Sequence, residues 1–172
     1  MGLKIRDKDS SFSLIRFPQT TSTSDEARLV NEEWTVIVAE EQTKGRGKPG
    51  SAWYSPKGGL YFSIVLMPKK DITDLLPLTL LTAKVLASLI PNSEIKLPND
   101  ILIAGKKVCG ILTEKSGKRL IIGIGVNTNI RSFPKELEGK ATSLLIESGR
   151  EIDREDFLSG FLSAFKKEYD II

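Results

Sequence analysis

Four short segments hold the residues whose types and spacing could do chemistry. The densest runs Gln42-Thr-Lys-Gly-Arg-Gly-Lys-Pro-Gly-Ser-Ala-Trp53. Its glycines at 45, 47 and 50 free the backbone to wrap an anion, and Arg46 and Lys48 add positive charge. Loops carried on a rigid scaffold commonly bind and catalyse, although a surface turn has the same composition. Thr21-Ser-Thr-Ser24 opens a helix pattern, where hydroxyls and free amides can hold a polar group or an anion, or simply cap the helix. In Lys96-Leu-Pro-Asn-Asp100, followed by Lys106-Lys107 and Cys109-Gly110, a lysine returns across a short turn toward a carboxylate. Such a pair could share a triphosphate, Lys107 directly and Asp100 through Mg²⁺, or be the charged ends of a surface hairpin. Gly123-Ile-Gly-Val-Asn127 removes alternate side chains from an apolar strand. That gives either a slot for a ligand or room for close strand–helix packing.

What the chain lacks narrows the chemistry. It has no histidine, so an imidazole base, a Ser-His-Asp triad and a His-ligated metal are all excluded. Lys, Arg, Asp and backbone amides remain, with any metal carried by the substrate. The single cysteine, Cys109, cannot form an internal disulfide and fits a reducing, cytoplasmic setting. The charged start has no apolar core for a signal peptide, and the apolar run 75–90 is too short to span a membrane. A net charge of +3 does not mark a dedicated nucleic-acid binder. At 172 residues the chain reads as one domain, 1–172.

The elements that must position these segments follow from periodicity. Strands are expected at 12–17, 34–39 and 60–66, with a helix over 25–30 between the first two. A mostly apolar helix is expected over 71–90, with Pro77 near its start. The stretches 101–103, 107–113 and 119–126, separated by Ala104-Gly105 and Ser116-Gly117, form an antiparallel meander. Phe157, Phe161, Phe165 and Tyr169 recur every four residues in a final helix over 154–169, capped by Asp153. The order predicts an α+β fold: a single mixed, largely antiparallel β-sheet with helices packed on it.

Taken together, in their order and spacing, the four segments resemble the catalytic domain of the biotin protein ligase (biotin–acetyl-CoA-carboxylase ligase) family. The resemblance covers roughly residues 12–169. Ser22-Thr23-Ser24 is similar to its Ser-Thr-Asn/Ser helix start, and Gln42–Trp53 to its Gln-x-x-Gly-Arg-Gly-Arg-x-Gly-x-x-Trp loop. Lys96–Asp100 and Lys107–Leu112 resemble Lys-Trp-Pro-Asn-Asp and Lys-x-x-Gly-Ile-Leu, and Gly123–Asn127 resembles Gly-x-Gly-x-Asn. The resemblance implies a class II aminoacyl-tRNA synthetase/biotin ligase-like sheet. It implies a reaction in which biotin and Mg-ATP give biotinyl-5′-AMP, and biotin then passes to a lysine of a biotin carrier domain.

The resemblance also assigns roles. Ser22, Thr23, Ser24 and Gln42 bind the polar head of biotin; Gly110, Gly123 and Gly125 line its slot. Gly45, Arg46, Gly47 and Lys48 close over the adenylate. Lys107 faces the biotin carboxylate and the α-phosphate, with Lys107, Arg46 and Asp100 as the catalytic set. Asn99 and Asn127 lie near the phosphates, Trp53 near adenine, and Asp100 reaches Mg²⁺ indirectly through phosphate. Lys48 replaces a second arginine and Leu97 a tryptophan. We expect neither the family's helix-turn-helix nor its C-terminal β-barrel, and no nucleic-acid or membrane partner; a homodimer stays open. The rival expectations are a lipoate or octanoate ligase or transferase of the same superfamily, and a non-catalytic biotin or adenylate binder.

Overall fold

Wholly apolar and alternating runs become strands, and they assemble in one eight-stranded sheet. The computed structural model describes residues 3–6 and 11–170. The strands are β1 (Leu3–Arg6), β2 (Ser13–Phe17), β3 (Thr35–Ala39), β4 (Leu60–Leu66), β5 (Ser93–Lys96), β6 (Asp100–Ile103), β7 (Lys106–Ser116) and β8 (Arg119–Val126), in the order β1-β2-β3-β4-β8-β7-β6-β5. The helices are α1 (Thr23–Ala27), α2 (Leu76–Leu89), α3 (Leu144–Ser148) and α4 (Arg154–Tyr169), with a 3₁₀ turn at Lys135–Leu137. By contacts the chain divides into two compact units. One holds the described residues up to Leu75 with Leu112–Gly125; the other holds Leu76–Ile111 with the described residues from Val126 onward.

The first unit owes its topology to α1. The chain leaves β2, passes through this short helix and returns as β3, so β2 and β3 are parallel, while β1–β2 and β3–β4 are antiparallel. That one crossover makes the sheet mixed. Every residue of β3 and β4 is buried, so these strands read as continuous rather than alternating apolar runs. Ala27, Ile37, Val65 and Ile121 form a core cluster, with Ile15, Phe17 and Val30 packed against it. Trp34, expected as the first residue of β3, lies outside the strand with φ of 58° and meets Phe12 edge-on at 5.5 Å.

The second unit is built on hairpins and two long helices. β6 and β7 are joined by Ala104 and Gly105, both left-handed at φ of 48° and 78°, as a two-residue hairpin turn requires. α2 begins at Leu76 rather than at 71: Pro77 fits only the first turn, and residues 71–75 are irregular. β5, β1 and α3 are additions to the sequence reading. α3 is too short to show periodicity; it is set by its ends, where Ser143 Oγ accepts the Ile146 N–H and Gly149 takes the left-handed C-terminal position at φ of 70°. α4 matches its expected span. Asp153 Oδ1 accepts the Asp156 N–H, and Phe161, Phe165 and Tyr169 stack at 5.6 and 5.9 Å. The apolar side of α4, with Leu158, Phe161, Leu162 and Phe165 buried, belongs to a helix in contact with α2. Among the described residues, no helix is long and apolar enough to cross a membrane.

Candidate functional site

The first unit carries a buried cluster of uncharged polar groups at the start of α1. Ser22 precedes the helix, but its side chain makes no capping hydrogen bond. The amide of Gln42 takes that place: its Oε1 accepts the Thr23 N–H at 2.8 Å, and its Nε2 donates to Ser55 Oγ at 2.9 Å. Ser55 Oγ in turn donates to the Trp53 carbonyl at 3.0 Å. On the other side, Thr23 Oγ1 and Ser24 Oγ each share a hydrogen bond with Ser63 Oγ, at 2.8 and 3.1 Å. Ser63 is fully buried in the middle of an otherwise apolar β4. A lone serine inside Leu-Tyr-Phe-Ser-Ile-Val-Leu was the signal for it, because a buried hydroxyl needs a partner.

The glycine-rich loop is a closed hairpin rather than open backbone. Arg46 bridges Ala52, the Trp53 N–H donates to the Gly45 carbonyl at 2.8 Å, and the Gly47 N–H to the Ser51 carbonyl at 3.0 Å. The Gly47 amide, expected to face a ligand, is thus engaged within the loop. Gly45 is required by close approach, since a Cβ there would lie 2.5 Å from both Ser55 Oγ and the Trp53 carbonyl. Arg46 leaves the loop to meet two carboxylates: Glu114 Oε2 at 2.5 Å and Asp25 Oδ1 at 3.5 Å. Lys48 and Leu97 are exposed; Leu97, which stands where the resembled motif has a tryptophan, buries little. The flat face left by Gly123 and Gly125 is filled by protein. Ser24 Oγ would lie 2.6 Å from a Cβ on Gly123, and the Trp53 indole would collide with one on Gly125. Ser24 and Trp53 thus pack on β8 at these two glycines.

The second unit carries the charged pair. Lys107 Nζ lies 2.8 Å from Asp100 Oδ1, and Gly110 is the strand partner of Asp100. The backbone of Lys107 is held on both sides, its N–H donating to the Lys140 carbonyl and its carbonyl accepting from the Thr142 N–H. Asn99 Nδ2 donates to the Ile111 carbonyl at 2.9 Å, and Asn127 Nδ2 to the Thr142 carbonyl at 3.0 Å. Both asparagines leave a buried Oδ1 with no donor. Oxygen acceptors of this kind suit Mg²⁺ or its bound water. Among the described residues no three Asp, Glu, His or Cys side chains gather as a metal cage. Two neutral oxygens suit a cation that arrives on a phosphate chain.

Cys109, between these groups in sequence, is a buried free thiol. Burial pushes its thiol far above the ordinary range, an effect that Lys107 opposes and Asp100 reinforces. An unfolded thiol ionises near about pH 8.5 while the native one stays protonated, so Cys109 lowers stability as pH rises through that value. Iodoacetamide at that pH is expected to spare the folded protein and label Cys109 fully in denaturant. Labelling of the native chain at the denatured rate would contradict this.

The sequence pattern of the biotin/lipoate A/B protein ligase family matches residues 12–129. A bifunctional ligase/repressor BirA of Bacillus spizizenii is 42% identical over 150 residues, covering 80% of this chain and 46% of the relative. The chain thus spans about half the length of that relative. A biotin–[acetyl-CoA-carboxylase] ligase of Paracoccus denitrificans is 32% identical over 169 residues, covering 87% of this chain and 70% of the relative. A biotin protein ligase from Aquifex aeolicus, solved with biotin and ATP, superimposes with a TM-score of 0.80 at 38% identity over 90% of this chain and 68% of that one. The residues matched by the family pattern, 12–129, include the hydroxyl cluster, the glycine-rich loop and the Lys107–Asp100 pair. The chain belongs to the biotin/lipoate A/B protein ligase family.

Proposed function

We propose that the chain activates biotin with ATP and transfers it to a lysine of a biotin carrier domain in the cytoplasm. The observation that carries this reading is the largely buried Ser55–Gln42–Thr23–Ser63 network. It offers uncharged donors and acceptors, which suits the neutral polar head of biotin. In the first step a biotin carboxylate oxygen attacks the α-phosphorus of ATP, and the bond to the β-phosphate oxygen breaks, releasing pyrophosphate. In the second, a carrier lysine amine attacks the acyl carbon and AMP departs. No enzyme nucleophile is needed, in accord with the absence of histidine and the burial of Cys109.

Each residue then has a task. Lys107, fixed by its backbone and oriented by Asp100, places positive charge on the carboxylate and α-phosphate oxygens. Asn99 and Asn127, whose Oδ1 atoms have no donor, would hold the Mg²⁺ that arrives with ATP, or its water. Arg46 and its loop retain the adenylate. Mg²⁺ supplies charge neutralisation on the triphosphate when it arrives with ATP.

The test is to incubate the protein with Mg-ATP, a carrier domain, and biotin, lipoate or octanoate in turn. Pyrophosphate release and acylated carrier are expected with biotin alone. Product with lipoate or octanoate but not biotin refutes the substrate assignment, and no product with any acid refutes the ligase. Ser63→Ala removes the hydroxyl that Thr23 and Ser24 share without adding bulk to the buried strand. It is expected to raise the KM for biotin about tenfold with kcat nearly unchanged, since a group that binds ground and transition states alike is lost. An unchanged KM would place Ser63 outside the biotin site.

A further inference from the structure

Glu114, on β7, stands apart from the segments that matched any motif, yet two arginines converge on it. Its Oε1 receives Arg28 Nη2 at 2.8 Å and its Oε2 receives Arg46 Nη2 at 2.5 Å. Because each oxygen is taken by a different arginine, the carboxylate cannot rotate without losing both bonds. The three side chains are only 22% to 37% exposed, so solvent screens the contact less than at an open surface. Arg28 is the C-terminal cap of α1, the helix whose first turn carries Thr23 and Ser24. Arg46 belongs to the glycine-rich loop and reaches Asp25 on the same helix. Arg46 meets both carboxylates through Nη2, and its buried Nε has no acceptor among the described residues, so that donor stays uncommitted.

We propose that Glu114 is a positioning residue that, by sharing one carboxylate between Arg28 and Arg46, holds the loop against α1 before ligand binds. Arg46 is then presented with its charge oriented and its Nε donor unspent. An anion meeting it needs no reordering of a long side chain, which is the condition for effective charge stabilisation. Glu114 touches no reacting atom in this scheme; it acts through Arg46. The consequence for turnover rests on the adenylate-forming reading above, whereas the consequence for the loop does not.

The experiment uses the whole chain with Glu114→Gln, which keeps the shape and removes the charge. Without ligand, amide hydrogen exchange over residues 45–53 is expected to quicken about tenfold, with exchange in α4 unchanged. With biotin and Mg-ATP, escape of the adenylate from the protein is expected to rise about tenfold. Added to Arg46→Gly, the same change should have no further effect on escape, because the residue it positions is gone. Should Glu114→Gln fail to fold, Arg28→Gln releases one oxygen of the carboxylate and is expected to quicken loop exchange in the same direction. Unchanged loop exchange, or an equal effect of Glu114→Gln with and without Arg46, overturns the proposal. If the unaltered protein forms no adenylate, the functional reading fails, while loop exchange still decides the role of Glu114.

Discussion

Lys107→Ala is expected to slow pyrophosphate release by about 10²–10³-fold, the cost of losing one preorganised donor to developing charge. The structure gives reasons for a loss this large. The Lys107 backbone is fixed between the Lys140 carbonyl and the Thr142 N–H, and its ammonium is aimed by Asp100 at 2.8 Å. The side chain arrives with its orientation already set, so little of its interaction is spent on ordering. Asp100 is left partly buried without its cation, so some thermal stability is lost too. Melting curves separate that loss from the kinetic one. Rapid-quench measurement of the first step checks the prediction, and a rate within about threefold of the unaltered protein would remove Lys107 from the chemistry. Lys107→Arg keeps the charge but spreads it over a planar fork, so only partial recovery is expected.

Arg46→Gly is expected to release the adenylate about 100-fold faster, in line with the loss of a charge-assisted contact. The escaped mixed anhydride then acylates amines in solution. Biotin should appear on bystander lysines of an added unrelated protein, where the unaltered chain labels the carrier domain alone. The physical basis is that Arg46 ties the loop to β7 and, besides Gln42, to α1: it contacts Glu114 and Asp25, while Lys48 is exposed. Mass spectrometry of the bystander reads the effect directly. Unchanged adenylate retention would show that the loop holds its ligand through other atoms.

Much of the fold was legible because its signals are local. The four-residue recurrence of aromatics in α4 and the Ala104-Gly105 turn each depend on a few adjacent residues, and all were placed within a residue or two. The start of α2 was misread because its apolar composition extends beyond the helix, while Pro77 limits where the helix can begin. β1, β5 and α3 escaped because four or five residues carry no clear period.

The candidate site divides along the same line. Residue types within a loop or strand fix which groups are present, so Gln42, Arg46, Asp100 and Lys107 could be singled out from the chain alone. What those groups touch is decided by register and burial, which bring together residues distant in sequence. Glu114 meets Arg46 across 68 positions and Arg28 across 86, and Ser63 meets Thr23 across 40. A glutamate in a half-exposed strand and a serine in a buried one look ordinary until the sheet sets their neighbours. The glycines at 123 and 125 show the converse. Their spacing announced a bare backbone face, but only the tertiary structure determined that Ser24 and Trp53 cover it. The sequence by itself therefore determined the chemical inventory and the family. The fold alone decided which charges are paired, which hydroxyls are shared and which surfaces are closed, because each depends on contacts that no local pattern encodes.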